Sequence, residues 1–334
     1  MFLAILTAIA NVALASPTPQ LYDSSNSIAA LTGTANASAG PVLGNYYNYW
    51  TLRSNKTVYD LTRSDRMPVT SPKVIPMMAS RKTAIIEPSR SALVIIDMQN
   101  FFLHPQLDPA ATGGRKAVQP TLEMIDGFRA NGMKVLWTNW GLDNFDLVTI
   151  PPSFLEGFSN DSTMATTFGS DMGTIKAANG SSIAVGRKLM RGSWNAQPWD
   201  KLYDAQVAGV ASDTDLYFNK SKKPPRSPQC SIAQRRLLTL LRIDRLSGLW
   251  GAQTPLGLYL QEHEITTLFF GGVNSDQCVW GTLLDAYCKG FDVVYVDDIA
   301  ATVSPEAAAE MVRYNADLNG FVTNSTLVLS GLGM

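Results

Sequence analysis

The stretch ITTLFFGGVNSDQCVWGTLLDAYCKG (265–290) decides the fold. ITTLFF (265–270) reads as a buried strand, the two glycines as a turn, and the run from Cys278 onward as a helix. Strand, tight connection and helix make up the repeating unit of an α/β protein. The Cys278 thiol then lies at a helix N-terminus, where free backbone N–H groups and the positive end of the dipole favour thiolate. A thiolate there can attack a carbonyl or imine carbon while neighbouring amides hold the oxyanion. A lone free cysteine is more often a core residue, so the reading needs support from elsewhere in the chain.

Two further strand ends supply it. SALVIIDMQNFFLHP (91–105) opens with the apolar run Ala92–Ile96, the pattern of a central parallel strand, and ends it on Asp97. TDLYFNK (214–220) is a second β-branched and aromatic run that stops at Lys220. An aspartate at a strand end is often only a turn former, and a lysine there is usually solvated. In open α/β sheets, however, ligands bind at the carboxyl ends of the strands, and here three such ends carry Asp, Lys and Cys. Strands at 91–97, 133–139, 214–220, 265–270 and 291–297 alternate with helices near 115–131, 253–263, 278–289 and 304–318, and TNSTLVLS (323–330) reads as a last strand. The expected fold is a three-layer α/β/α sandwich with a mostly parallel, Rossmann-like sheet.

On VIIDMQNFF and GGVNSDQCVWGTLLDAYCKGFDVVYVDDIAAT, the chain resembles the isochorismatase-like cysteine hydrolases over about residues 80–320. The resemblance implies Asp97 as general acid/base, Lys220 as charge-stabilising residue and Cys278 as nucleophile. It also implies a cis peptide between Val273 and Asn274, which aims the Asn274 amide to form an oxyanion hole with the Cys278 amide. Gln99, Phe102, Trp140, Val273 and Trp250 are the expected substrate-binding wall. The implied activity is hydrolysis of an amide or carbamoyl C–N bond in a small molecule through a thioester, with vinyl ether hydrolysis of the isochorismatase type as the alternative reaction. A non-catalytic secreted binding protein with a relic site is the reading from another class. The resemblance also implies a homo-oligomer. Nicotinamidases of this family hold a metal with an Asp and several His near the second strand; VLWTNWGLDNFD (135–146) has no histidine, and the chain has only His104 and His263. No metal or other cofactor is therefore expected.

The chain departs from the family pattern after Lys220. The segment SKKPPRSPQCSIAQRRLLTLLRID (221–244) separates Lys220 from Arg245–Trp250, which the family places only a few residues on. A long surface loop with a short helix at Ile232–Ile243 is tolerable, because loop closure grows slowly with length. We favour a retained intron over 221–243, translated in frame: Ser221–Lys222 can be encoded with a donor-like GTAAG and Ile243–Asp244 with an acceptor TAG. Splicing would join Lys220 to Arg245 through one Asn and erase the sequon at Asn219.

Length and charge bound the remainder. The chain has 334 residues, is 46% hydrophobic and has a net charge of −1, enough for a large core and without the basic footprint of a nucleic-acid partner. MFLAILTAIANVALAS (1–16) reads as a signal peptide cleaved after Ala15, too short to span a membrane. The expectation is a secreted protein with no stable membrane association after cleavage, sequons at Asn36, Asn55, Asn160, Asn179, Asn219 and Asn324 being consistent with a glycoprotein. Residues 16–78 read as a leader and an aromatic arm, and 79–334 as the hydrolase domain. Cys288 lies about 15 Å from Cys278 along the expected helix, too far for a disulfide. Sequencing mature transcripts across codons 219–246 checks the insert: a message joining Lys220 to Arg245 through a single Asn codon is expected, and a message that always encodes 221–243 removes the intron reading.

Overall fold

The computed structural model describes residues 40–53, 56–220, 247–249 and 254–334. The signal peptide 1–15, residues 16–39 of the leader, the sequons at Asn36 and Asn55, Cys230, the segment 221–243 with its expected helix, and Trp250 lie outside the described residues.

The chain enters as a small sheet. Strands β1 (Val42–Gly44), β2 (Tyr49–Arg53), β3 (Val58–Asp60), β4 (Lys73–Pro76) and β5 (Thr83–Ile86) pair in the order β1-β2-β3-β5-β4. What reads in sequence as an aromatic arm is thus part of a sheet that runs on through β5, across the boundary expected near residue 79.

The main sheet follows, from β6 (Ser91–Ile96), β7 (Lys134–Asn139), β10 (Asp215–Asn219), β11 (Thr267–Val273), β12 (Asp292–Ala301) and β13 (Phe321–Thr323), with β8 (Thr174–Lys176) and β9 (Ser182–Ala184) forming a separate hairpin. Its order is β10-β7-β6-β11-β12-β13 and every pairing is parallel. All six residues of β6 are buried, as a strand covered on both faces requires.

Helices α1 (Val118–Ala130), α2 (Lys201–Ala211), α3 (Pro255–Glu262), α4 (Trp280–Cys288), α5 (Glu306–Asn319) and α6 (Ser325–Leu332) cover the sheet. One face packs Met124 and Phe128 of α1, Val328 of α6 and Ile75 and Ile86 of the small sheet against Leu93, Ile95 and Phe269. The other packs Leu256 of α3, Leu283 of α4 and Val312 of α5 against Val94, Ile96 and Phe270. The three-layer parallel architecture expected from the sequence is the one observed.

Two local readings are corrected. Gly271 and Gly272 do not turn the chain; they continue β11. A Cβ on Gly272, at φ +125, would fall 2.0 Å from the Ile96 carbonyl oxygen, so these glycines permit close backbone approach between neighbouring strands. TNSTLVLS is not a strand: Asn324 accepts the Leu327 N–H at 2.9 Å and caps α6, the role an Asn before Ser-Thr suits.

The small sheet is pinned to the main one through Asp292 at the start of β12. Arg63 donates to both carboxylate oxygens at 2.8 and 2.9 Å, Trp50 Nε1 at 2.7 Å and Thr267 Oγ1 at 3.1 Å. Arg63 and Asp292 are both buried, so removing either partner strands an uncompensated charge. Asp292→Ala should lower unfolding free energy by about 3–5 kcal/mol in denaturant titration, with partial recovery when Arg63 is also replaced by Met. An unchanged midpoint would show that the pair holds nothing together.

Candidate active site

Along the main sheet the chain moves from β6 to β7 and β10 on one side and to β11 and β12 on the other, so the order reverses between β6 and β11. Such a reversal leaves a crevice at the carboxyl ends of the two strands, since their following connections diverge to opposite sides. Asp97 follows β6 directly and Cys278 follows β11 by a few residues; Lys220 follows β10.

Asp97 is fully buried and sits in the left-handed region at φ 52, a conformation aspartate tolerates better than most residues. Its N–H donates to the Thr138 carbonyl at 3.1 Å, and its carbonyl accepts from Gln99 N–H at 2.7 Å. One carboxylate oxygen accepts the Trp140 N–H at 3.2 Å, and the other accepts the Lys220 ammonium. Lys220 is anchored by its own N–H on the Asn139 carbonyl at 2.9 Å, and its Nζ lies 5.2 Å from the Trp140 ring centroid, a cation–π arrangement. Its side chain, like that of Asp97, has no solvent exposure.

Cys278 lies in a π-helical turn, Ser275–Val279, that leads into α4. Gln277 and Val279 both donate their N–H to the Asn274 carbonyl, at 3.1 and 3.2 Å, and the Cys278 carbonyl accepts Thr282 Oγ1 at 2.8 Å. The peptide between Val273 and Asn274 is cis. The Cys278 side chain is within hydrogen-bonding reach of both the Asp97 carboxylate and the Lys220 ammonium. The structure therefore brings the three residues from three strand ends together.

The electrostatics overturn one expectation. Burial pushes the Cys278 thiol up to about 12; Lys220 opposes the rise and Asp97 adds to it. The resting group is a neutral thiol, because removal from water outweighs the helix terminus. Burial likewise raises the Asp97 carboxyl, against the pull of Lys220, Cys278 and the Trp140 amide. For Lys220 burial acts downward, but Asp97 and Cys278 outweigh it and hold the ammonium above its ordinary value. A carboxylate with elevated proton affinity beside a thiol and a persistent cation is a proton acceptor in waiting.

The expected substrate wall divides. Gln99 is fully buried and its amide is engaged with backbone: Nε2 donates to the Trp140 carbonyl at 2.7 Å and the Ala196 carbonyl at 2.6 Å, and Oε1 accepts the Trp140 N–H at 3.0 Å. Its polar atoms brace Trp140, the residue that carries both the amide on Asp97 and the ring over Lys220. Sequence reading missed this bracing role, although the pairing of a strand-end Gln with a strand-end Trp was there to be seen. Trp140 is fully buried, and its Nε1 finds no acceptor among the described residues. Phe102 packs edge to face on Phe101 at 4.9 Å and on Phe158 at 6.5 Å. Val273 is buried at the end of β11. The aromatics of 141–200 mostly form a small core of their own, with Trp140, Leu142, Phe168 and Leu189 at its centre and Phe158 stacked on Phe168 at 4.2 Å. Among the described residues no group of three His, Cys, Asp or Glu side chains is placed to hold a metal ion.

Alkylation by iodoacetamide reads the thiol directly. The rate at Cys278 should climb about tenfold per pH unit from about pH 7 to 9 without a plateau. At fixed pH, Asp97→Asn should slow it by removing the group that takes the thiol proton, and Lys220→Met should slow it by removing the cation beside the sulfur. A plateau near neutral pH, or alkylation left unslowed in Asp97→Asn, contradicts a thiol that keeps its proton until Asp97 takes it.

Residues 243–326 match the family model described as Isochorismatase domain. Among solved structures, the chain is similar to an isochorismatase family protein from Desulfovibrio vulgaris, at 20% identity over 73% of this chain and 99% of that chain, with a TM-score of 0.49. It is also similar to nicotinamidase from Bacillus subtilis, at 20% identity over 70% of this chain and 99% of that one, TM-score 0.47. A third is N-carbamoylsarcosine amidase from Thermoplasma acidophilum, at 20% identity over 71% and 96%, TM-score 0.45. The domain match spans the strand, π-helical turn and helix that carry Cys278, and the chain's own six-stranded sheet is parallel throughout, as the expected three-layer fold requires.

Proposed function

We propose that this protein is a cysteine hydrolase that cleaves a C–N bond of the amide or carbamoyl type in a small molecule, working through its own side chains without a metal. The observation that carries the reading is the buried meeting of the Asp97 carboxylate, the Lys220 ammonium and the Cys278 thiol at the point where the strand order reverses.

The chemistry follows from the proton inventory. At rest the thiol holds its proton and the ammonium is charged. As Cys278 Sγ closes on the carbonyl carbon, its proton passes to Asp97, and Lys220 offsets the negative charge that the transfer leaves on the reacting atoms. The oxyanion is assigned to the amides of Asn274 and Cys278, one before and one within the turn that leads into α4. Collapse expels the amine, which takes the proton from Asp97 and leaves an acyl thioester on Cys278. Water then attacks the thioester, Asp97 accepts its proton, and expulsion of the thiolate with return of that proton regenerates the thiol. A raised carboxyl suits both halves of this cycle, because the same group must accept a proton and release it near neutral pH.

Ammonia or amine release from a panel of primary amides and N-carbamoyl compounds tests the reading. At least one should be turned over, with kcat/KM reduced about a thousandfold or more in Cys278→Ala and about a hundredfold or more in Asp97→Asn. Release that survives Cys278→Ala would sink the nucleophile assignment. A fully folded wild type inert towards the whole panel would favour the relic binding protein.

A further inference from the structure

The segment that follows Asp97 is pinned by the loop leading into α2. Asn100 N–H donates to the Gln197 carbonyl at 2.8 Å, Trp199 N–H to the Met98 carbonyl at 2.9 Å, and Gln99 forms a bridge with Pro198. Along this seam lies a cleft of about 340 Å³, walled by Trp194, Trp199, Tyr203, His104 and Asp200 among others. None of Asp97, Lys220 and Cys278 lines it, so it is separate from the site described above, and its volume is within the range of about 300–1,000 Å³ that small ligands occupy.

Its chemistry is selective. Trp194 and Trp199 are half-buried and Tyr203 is exposed. Trp194 meets His104 edge to face at 5.2 Å, but the three larger rings form no ring pair with one another among the described residues. Trp199 also packs on the core of the main sheet, and all three rings line the cleft. Asp200 is the one acidic side chain of the lining, and neither lysine nor arginine contributes to it. His104 is held below its ordinary value by burial and by Arg115, so at neutral pH it adds no opposing charge. Asp200 precedes α2 at the position where an aspartate would normally cap, yet it lies at φ 52 and ψ −134 and accepts no capping hydrogen bond. A non-glycine residue held in that region is strained, and here its side chain is spent on lining the cleft, not on capping the helix.

We propose that this cleft binds a small alkylated ammonium ion of the quaternary type. The π faces attract a cation, the carboxylate supplies its counter-charge, and the methyl groups of such an ion cover ring surface that a bare ammonium or a metal ion would leave wet. An anion would face Asp200 unaided.

Isothermal titration of the full chain with choline chloride at constant ionic strength tests the proposal, with the neutral isostere in which carbon replaces the ammonium nitrogen as control. Saturable choline binding is expected, at least about tenfold tighter than the isostere. Asp200→Asn, which keeps a residue tolerant of positive φ, and Tyr203→Ala, at an exposed position, should each weaken choline about tenfold while melting like the wild type; Cys278→Ala should bind choline unchanged. Equal binding of the isostere would make the cleft merely apolar. No saturation up to about 10 mM, indifference to both cleft variants, or loss of binding in Cys278→Ala would each overturn the proposal.

Discussion

The contact between the Lys220 ammonium and the Asp97 carboxylate, neither side chain exposed to solvent, is the constraint on which the remainder of the site depends. Taking two charges out of solvent costs several kcal/mol per ion, offset only if the pair is close and its remaining valences are filled. Here the Trp140 amide fills one carboxylate position, the Trp140 ring lies 5.2 Å from the ammonium, and the Cys278 thiol reaches both partners. Burial is what holds the proton on the cysteine, with Asp97 adding to that hold and Lys220 opposing it. Three side chains share their protons as one unit, so no member titrates on its own account.

The fold exists around that unit in a specific way. A parallel sheet whose order reverses between β6 and β11 opens a crevice between the ends of those strands, and β7 and β10 extend the floor on the β6 side. Close approach of β11 to β6 is possible because Gly272 has no side chain to meet the Ile96 carbonyl. Gln99 then ties Trp140 to the Asp97 loop through two hydrogen bonds, and a third to the Ala196 carbonyl fixes the amide. Cys278 enters from the β11 side, on the π-helical turn that leads into α4.

Much of this was legible in the sequence, and the losses are instructive. Continuous apolar runs ending in Asp97 and Lys220 announce buried parallel strands and mark their ends. The glycine pair 271–272 misleads, because absence of a Cβ serves close packing as well as turning. TNSTLVLS misleads by composition: β-branched residues suggest a strand, but the local hydrogen bond of Asn324 to the Leu327 amide starts a helix. The small N-terminal sheet escapes notice because its strands are short and pair across the sequence, held by Asp292 from far along the chain. The state of the thiol could not be read at all, since burial is a tertiary property and here it outweighs the helix terminus.

The central claim is that Cys278 becomes a nucleophile only by handing its proton to Asp97 as it attacks, and so accumulates an acyl group that can be caught. Acid quench during turnover of a substrate amide, followed by peptide mass spectrometry, measures it most directly. The account predicts a hydroxylamine-labile acyl adduct on Cys278 in the wild type, with its formation strongly slowed in Asp97→Asn. Turnover with no adduct at any quench time, together with incorporation of solvent oxygen into product in a single step, would contradict it.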